Sequence, residues 1–238
     1  MLSRRRTLGL AAALIPTALI LGRHAFASAE ESDLLQLVKA GKLGQARDLA
    51  ARWSAASPDD GKARLLAGVL SFATGAYSEA RTWLDPDYTA DNYIFGSLTA
   101  ADAGILRTKL GRSEWLYLAS QRAHVPIANV LAPPLLFVAT GHQTVDEYAA
   151  QQAIAERALY DSTILSVTDS PGRQSLLDSL ARKSEHEHRC TGNLLLAEMA
   201  LARDDIATAR TLLSSATRSV LPELLEYHIA NAELARLG

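Results

Sequence analysis

The feature that most constrains the fold of this chain is a pattern that occurs twice, 34 residues apart. Gly41 and Gly75 occupy the same place in the two copies, and so do Ala46 and Ala80. A large apolar residue follows each glycine by two positions. A unit this short cannot bury its own apolar face and is stable only when units stack. The repeat therefore predicts antiparallel helical hairpins that stack into a solenoid.

Residue size within the repeat predicts how the helices meet. We expect Ala46, Ala80 and Gly68 at close contacts, because small residues let helix backbones approach one another. Larger apolar residues should fill the space between units: Leu37, Leu43, Tyr77 and Leu84. The first hairpin is expected over residues 34–56, with its turn at about 41–43.

A third copy of the pattern lies near the end of the chain. The stretch 194–199 resembles a first helix and 206–216 a second, with Asp204 in the turn at the position of the repeat glycines. The clearest repeats are therefore at about 34–85 and 193–218, with hairpins at 34–56 and 194–218. After Pro222, the apolar spacing of residues 223–237 predicts a helix that caps the array.

The middle of the chain, residues 86–189, does not keep the period and is a degenerate part of the array. Pro86 ends the second repeat, and Thr144 with Glu147 forms a capping box for a later helix. Helical spacing predicts helices at about 91–110, 113–123, 135–139, 145–159 and 173–183. The predicted fold class is all-α.

The repeat resembles the tetratricopeptide (TPR) family. Further stretches, 114–119 and 189–196 with Pro134 and Gly141, are similar to bacterial periplasmic TPR adaptors of the NlpI-like type. The resemblance implies a TPR-like solenoid that holds protein partners such as proteases or cell-wall enzymes. This chain departs from the lipoprotein members because no cysteine follows its apolar N-terminal run.

Residues 1–29 have the pattern of a secretory signal peptide. Arg4 to Arg6 precede an apolar run at 8–22, which is followed by small residues at Ala25, Ala27 and Ala29. We expect an exported, periplasmic protein with a TPR-like helical domain over residues 30–238, and we expect the mature chain to start at Ser28 or Glu30. Both the general secretory route and the twin-arginine route fit the basic start. If the apolar run is not removed, it would tether the protein to the membrane, whereas its cleavage leaves no stable membrane anchor.

The charge and the cysteine content limit which partners the domain can bind and which interactions can stabilise its fold. Removing the four arginines of residues 1–29 changes the formal net charge from −2 to −6. A mildly acidic domain is a poor match for nucleic acid, because phosphate contacts require clustered Lys and Arg. Cys190 is the one cysteine, so no internal disulfide can form.

The residues 185–190 are the one cluster that could attract a metal ion. His186, His188 and Cys190 are two positions apart, which is about 200° on a helix and places no three on one side. On an extended loop the three would share a side. Zinc-binding, nucleophile-elbow and phosphate-loop motifs are absent from the sequence. We expect no enzyme activity, no cofactor and no metal; a metal-binding protein or enzyme that uses the 86–190 region is the alternative.

A TPR array binds its partner along the groove that its first helices line. The predicted function is therefore an extracytoplasmic protein-binding scaffold, with a self-associating assembly protein as a further alternative. Polar residues expected to be exposed in the groove come from the first helices of the first two units. Aromatic residues of the irregular stretch after Pro86 are a second set of binding candidates. The two sets are Gln36, Lys39, Arg64 and Ser71, and Tyr88, Tyr93 and Phe95.

Overall fold

The computed structural model describes residues 29–85, 106–127, 131, 133–164 and 172–238. This part of the chain is all-α, as predicted, and neighbouring helices stack on one another. The helices are α1 (Ala29–Lys39), α2 (Leu43–Ala56), α3 (Gly61–Ala73), α4 (Tyr77–Leu84), α5 (Arg112–Arg122), α6 (Pro133–Ala139), α7 (Val145–Ile164), α8 (Gly172–Leu201), α9 (Ile206–Ala216) and α10 (Leu225–Leu237).

The predicted hairpins are present, and their turns share one geometry. Gly41 after α1 and Gly75 after α3 have φ angles of +69° and +81°. In both turns the glycine amide bonds to the carbonyl three residues earlier, and the next amide bonds to the carbonyl five residues earlier. This is the Schellman ending of a helix, which needs a residue in the left-handed conformation. The glycines of the repeat therefore end the first helix of each hairpin.

The same turn also follows α5, α6 and α8. His124, Gly141 and Asp204 occupy its left-handed position, with φ angles of +53°, +74° and +60°, and the two hydrogen bonds recur at each site. The same type of turn therefore recurs in the middle of the chain, where the sequence period of 34 is lost.

The small residues of the repeat are buried, and one of them lies at a close contact between helices. Ala46 and Ala80 are fully buried. A methyl group added to Gly68 would lie 2.6 Å from Cγ of Leu84, so α3 and α4 approach too closely there for a side chain on α3. The close contact predicted for Gly68 is confirmed, and Ala46 and Ala80 have the burial that such contacts require.

Two predicted boundaries in the middle of the chain are wrong. The predicted helix at 173–183 continues without a break to Leu201, forming the 30-residue α8. Of the predicted helix 91–110, residues 106–110 are described, and they are not helical: Arg107 forms a parallel bridge with Leu224. The carboxylate of Glu226 explains the extended form, since it accepts hydrogen bonds from Thr108 Oγ1 and from the amides of Lys109 and Leu110 at 2.7–2.9 Å.

The C-terminal helix α10 contacts more helices than one that only caps the last hairpin would. It packs on α9 and α8, as a capping helix would, and it also contacts α1 and α3 at the other end of the chain. The first two hairpins and the last helix therefore meet. Within the described residues, no helix combines the length and apolarity needed to cross a bilayer.

Candidate functional site

The predicted binding residues of α1 are exposed, and one of them acts on a residue of α10. Gln36 and Lys39 are exposed near the end of α1. The positive charge of Lys39 reaches His228 of α10, where burial and then this charge lower the imidazole pKa. The aromatic binding candidates lie outside the described residues: Tyr88, Tyr93 and Phe95.

The predicted binding residues of α3 are directed at α4 instead of a free surface. Arg64 donates from Nε to the carbonyl of Trp83 at 2.8 Å. Ser71 is fully buried and its Oγ lies 3.2 Å from Glu79 Oε1. Arg64 and Ser71 are seven residues, or two helical turns, apart and so share one side of α3. The expectation of an exposed side chain is therefore wrong for Ser71, and Arg64 joins the two helices of one hairpin.

A central ion cluster forms where α4, α5, α8 and α10 converge. Nη1 of Arg122 lies 2.9 Å from Glu198 Oε2, and its Nη2 lies 3.8 Å from Glu233 Oε2. Arg122 also donates to the hydroxyl of Tyr77 at 2.5 Å and lies over the Tyr77 ring. Arg236 pairs with Glu233 and donates to the carbonyl of Ala73 at the end of α3. One arginine of α5 thus joins two acids from different helices.

The protonation of the central ion cluster follows from its burial. Glu198 is fully buried, and its Oε1 has no hydrogen-bond partner. Burial, followed by the charge of Glu233, raises the pKa of Glu198 above its ordinary value, although Arg122 and Arg236 act in the opposite direction. The same two influences raise the pKa of Tyr77 above its ordinary value. Burial in this cluster therefore disfavours the ionised form of Glu198, and Arg122 opposes that effect.

A second polar assembly, which we name the α7–α8 polar chain, joins α7 and α8 to the extended segment 106–110. It is a continuous series of side-chain contacts through Tyr148, His188, Glu156, Lys109, Glu187 and Arg107. The hydroxyl of Tyr148 lies 3.2 Å from Nδ1 of His188, and Nε2 of His188 lies 2.9 Å from Glu156 Oε1. Lys109 contacts Glu156 at 2.7 Å and Glu187 at 3.2 Å. Arg107 pairs with Glu187 at 2.5 Å.

The α7–α8 polar chain places acid–base groups in contact but keeps most of them from solvent. Tyr148, His188 and Glu187 are buried. Burial tends to raise the pKa of Glu156, but hydrogen bonds from His188 and Lys109 and the Lys109 charge outweigh it and lower the pKa to about 2. Burial of Tyr148 raises the pKa of its hydroxyl. The arrangement holds the segment 106–110 against α8 by ion pairs between buried groups, whose breakage would leave uncompensated charge.

The candidate metal cluster is helical, so its members face different neighbours. His186 is exposed and its Nδ1 lies 2.9 Å from Ser219 Oγ. His188 belongs to the α7–α8 polar chain, and Cys190 is buried, which raises the pKa of its thiol. The extended-loop arrangement that would make a metal site is therefore wrong here. Within the described ranges, no group of three His, Cys, Asp or Glu side chains could hold a metal ion.

The sequence analysis did not predict the central ion cluster or the α7–α8 polar chain, although their members include charged residues at helical positions. Glu198 and Glu233 are 35 residues apart, and Arg107 and Glu187 are 80 apart in the chain. Acidic residues within the apolar pattern of α8 and α10 are the one signal that could have revealed them, because unpaired charges are almost never fully buried. The partners of these acids depend on how distant helices cross.

No protein-family model matches this chain, and neither the curated proteins nor the solved structures include a significant match. The TPR and NlpI-like resemblance is therefore still a prediction from the repeat.

Proposed function

We propose that this chain is an exported, non-enzymatic adaptor that binds protein partners through its stacked helical hairpins. The observation that carries the proposal is the recurrence of one hairpin ending: the same left-handed turn with the same two hydrogen bonds follows α1 and α3 at a separation of 34 residues. Stacked hairpins of this kind present extended surfaces for peptides and helices. The proposed partners are proteins of the cell envelope, including its enzymes.

The partner-binding surface that we propose lies at the end of α1. Gln36 and Lys39 are exposed there, and the charge of Lys39 acts on His228 of α10. Arg64 and Ser71 are left out of the surface, because one is hydrogen-bonded to α4 and the other is buried. The surface is thus smaller than a groove that runs along all the first helices.

A charge-reversal pair tests this surface. Partners are first captured by cross-linking in cells and identified, and their affinity for purified protein is then measured. Gln36→Glu with Lys39→Glu should weaken binding at least about tenfold, a change equal to 1.4 kcal/mol. Gln45→Glu with Arg52→Glu is the matched control, since both residues are exposed on α2. The proposed surface is wrong if the Gln36→Glu, Lys39→Glu variant binds the partner as tightly as the wild type and the control variant do. This comparison requires that the three proteins have the same helix content.

Export is tested separately. N-terminal sequencing of the protein from a periplasmic fraction should give Ser28 or Glu30 as the first residue. Arg4→Lys with Arg5→Lys keeps the positive charge of the start, so it should stop only twin-arginine export. A soluble periplasmic form that still begins at Met1 would contradict cleavage.

A further inference from the structure

An open cleft, which we name the α6–α7 cleft, lies where α6 meets the start of α7. Its volume is about 580 Å³, which is within the range of roughly 300–1,000 Å³ that is usual for ligand clefts. None of its residues belongs to the central ion cluster or to the α7–α8 polar chain. The residues that line it are Pro134, Phe137, His142, Gln143, Glu147 and Gln151. Two apolar rings are thus combined with several polar side chains, as in sites that bind ligands.

The apolar part of the α6–α7 cleft includes an aromatic ring that the core does not use. Phe137 is 51% exposed, whereas Leu135 and Val138 on the same short helix are buried. Helix α6 packs on α7 and α8, and its buried side chains already provide that contact. The exposed face of an aromatic ring attracts cations, and arginine in particular because its planar guanidinium also stacks on the ring.

The polar part of the α6–α7 cleft offers hydrogen-bond acceptors. Nε2 of Gln143 donates to Oε1 of Gln151 at 2.9 Å, whereas Oε1 of Gln143 is buried and has no hydrogen-bond partner in the described part of the chain. Thr140 Oγ1 donates to the carbonyl of Leu136 at 2.8 Å and therefore accepts from His142 Nδ1 at 2.9 Å. Nε2 of the neutral imidazole is then an acceptor. A ligand that supplies donors would satisfy both atoms.

Glu147 gives the α6–α7 cleft a negative charge. Its Oε2 accepts hydrogen bonds from the amide and from Oγ1 of Thr144, both at 2.8 Å. The backbone bond, followed by the side-chain bond, lowers the pKa of this exposed carboxyl group, so it is ionised at neutral pH. Both bonds are made to Oε2, which leaves Oε1 for a ligand. The residues that line the cleft include no lysine or arginine, and Arg189 of α8 is already paired with Asp146. The group that complements this charge is therefore a cation.

An exposed isoleucine extends the surface along α7. Glu147, Gln151 and Ile154 follow one another at intervals of four and three residues, so they share one side of the helix. Ile154 is 69% exposed, and it lies about 10 Å beyond Glu147 at 1.5 Å per residue. In a polyproline II segment, residues three positions apart face the same side at about 9 Å. One peptide segment can therefore reach both the cleft and Ile154.

We propose that the α6–α7 cleft binds an arginine side chain of a protein partner, with the guanidinium over the Phe137 ring and hydrogen-bonded to Glu147 and Gln143. An apolar side chain three residues further along the partner packs against Ile154. Arginine fits this site better than lysine, because its flat cation carries five donors that can reach several acceptors at once. The inference rests on the proposed function, since it gives the adaptor a further contact with its partner.

Nuclear magnetic resonance titration of the purified protein with short peptides tests the cleft. The probe is the peptide Gly-Arg-Pro-Pro-Leu-Gly with both ends capped, and it should shift amide signals within residues 135–151. Citrulline in place of the arginine keeps the planar shape and removes the charge, so affinity should fall at least about fivefold. Glycine in place of the leucine should weaken binding and remove the shift at Ile154.

Two variants test the aromatic and the acidic side of the cleft. Phe137→Leu keeps an apolar side chain without the ring, and Glu147→Gln keeps the capping box, in which glutamine can replace glutamate. Each should weaken binding of the arginine peptide about two- to fivefold. Val220→Ala and Asp48→Asn are the controls, because they change an exposed apolar residue and an exposed acid outside the cleft. Both should bind like the wild type, and circular dichroism confirms that every variant is folded.

The inference is overturned if the arginine and citrulline peptides bind equally, if no amide within residues 135–151 shifts, or if both cleft variants bind like the wild type. Free arginine that binds as tightly as the peptide would also overturn it, because the cleft would then be a small-molecule site. Failure of the cleft thus appears with synthetic peptides, whereas failure of the adaptor function appears in the capture of protein partners.

Discussion

Asp204 ends α8 in the same left-handed conformation with which Gly75 ends α3. The φ angles are +60° and +81°. The amide that follows each residue donates to the carbonyl five positions earlier, at 3.0 Å for Asp205 and 2.9 Å for Ala76. An L-residue pays a steric cost in this conformation that glycine avoids, and aspartate tolerates it better than most residues. The third repeat thus keeps the turn of the first two without their glycine.

We expect Asp204→Gly to stabilise the protein by roughly 0.5–1 kcal/mol, because glycine relieves the left-handed strain. Asp204→Ala should instead destabilise it, since alanine has the same strain and no polar side chain for the turn. Urea unfolding of the three proteins checks the order. A variant series in which alanine is as stable as glycine would show that the turn stores no strain.

A pair of glycine-to-alanine changes separates close packing from helix propensity. Gly68→Ala should destabilise the fold by about 1–3 kcal/mol, because its new methyl group would overlap Leu84. Gly44→Ala lies within α2, where the new methyl group would meet nothing within 4 Å apart from the neighbouring residues and backbone of its own helix, and it should stabilise by about 0.5–1 kcal/mol. Thermal unfolding measures both. Changes of equal sign would contradict the close contact of α3 with α4.

Large residues at the small repeat positions should disrupt the stacking. Ala80→Trp and Ala46→Trp introduce a bulky side chain at a fully buried position, and we expect each to cost at least about 1–3 kcal/mol. Ala55→Trp is the matched control, because Ala55 is exposed on α2. The melting temperature of each variant reports the loss. Equal melting temperatures for Ala80→Trp and Ala55→Trp would exclude a close contact at residue 80.

The α7–α8 polar chain should make the fold sensitive to acid. Glu156 has its pKa lowered to about 2, so its ionised form stabilises the fold above the unfolded pKa of about 4.3, and this stability is lost as the pH falls through the folded value. Glu156→Gln should lower the free energy of unfolding at pH 7 by about 1–3 kcal/mol.

Urea unfolding of Glu156→Gln at pH 7 and at pH 2 measures that loss, and the difference from the wild type should shrink at the lower pH. Asp146→Asn is the control: it also removes an acid of α7 that is ion-paired to α8, but its side chain is 77% exposed, and exposed pairs contribute little. An equal loss in the two variants would contradict a special role for Glu156.

Local pattern was enough to predict the hairpins. The repeat glycines and the capping box at Thr144 act over three to five residues, and each has the expected geometry in the structure. These features depend on backbone conformation and hydrogen bonds within a turn, so their physics is contained in a short stretch of sequence. The exposure of Ser71 was not predictable in the same way, because it depends on which side of α3 meets α4.

The sequence by itself determined the helical hairpins of the repeats and the turns within them. Only the tertiary structure decided that α10 returns to α1 and α3, that Glu226 draws residues 106–110 into an extended segment, and that Glu198 faces Glu233 across Arg122. The physical reason is that the local sequence of a helix does not specify which distant helices it will contact. The position of a long-range contact depends on how all the helices pack together, and that packing sets which charges are buried and paired.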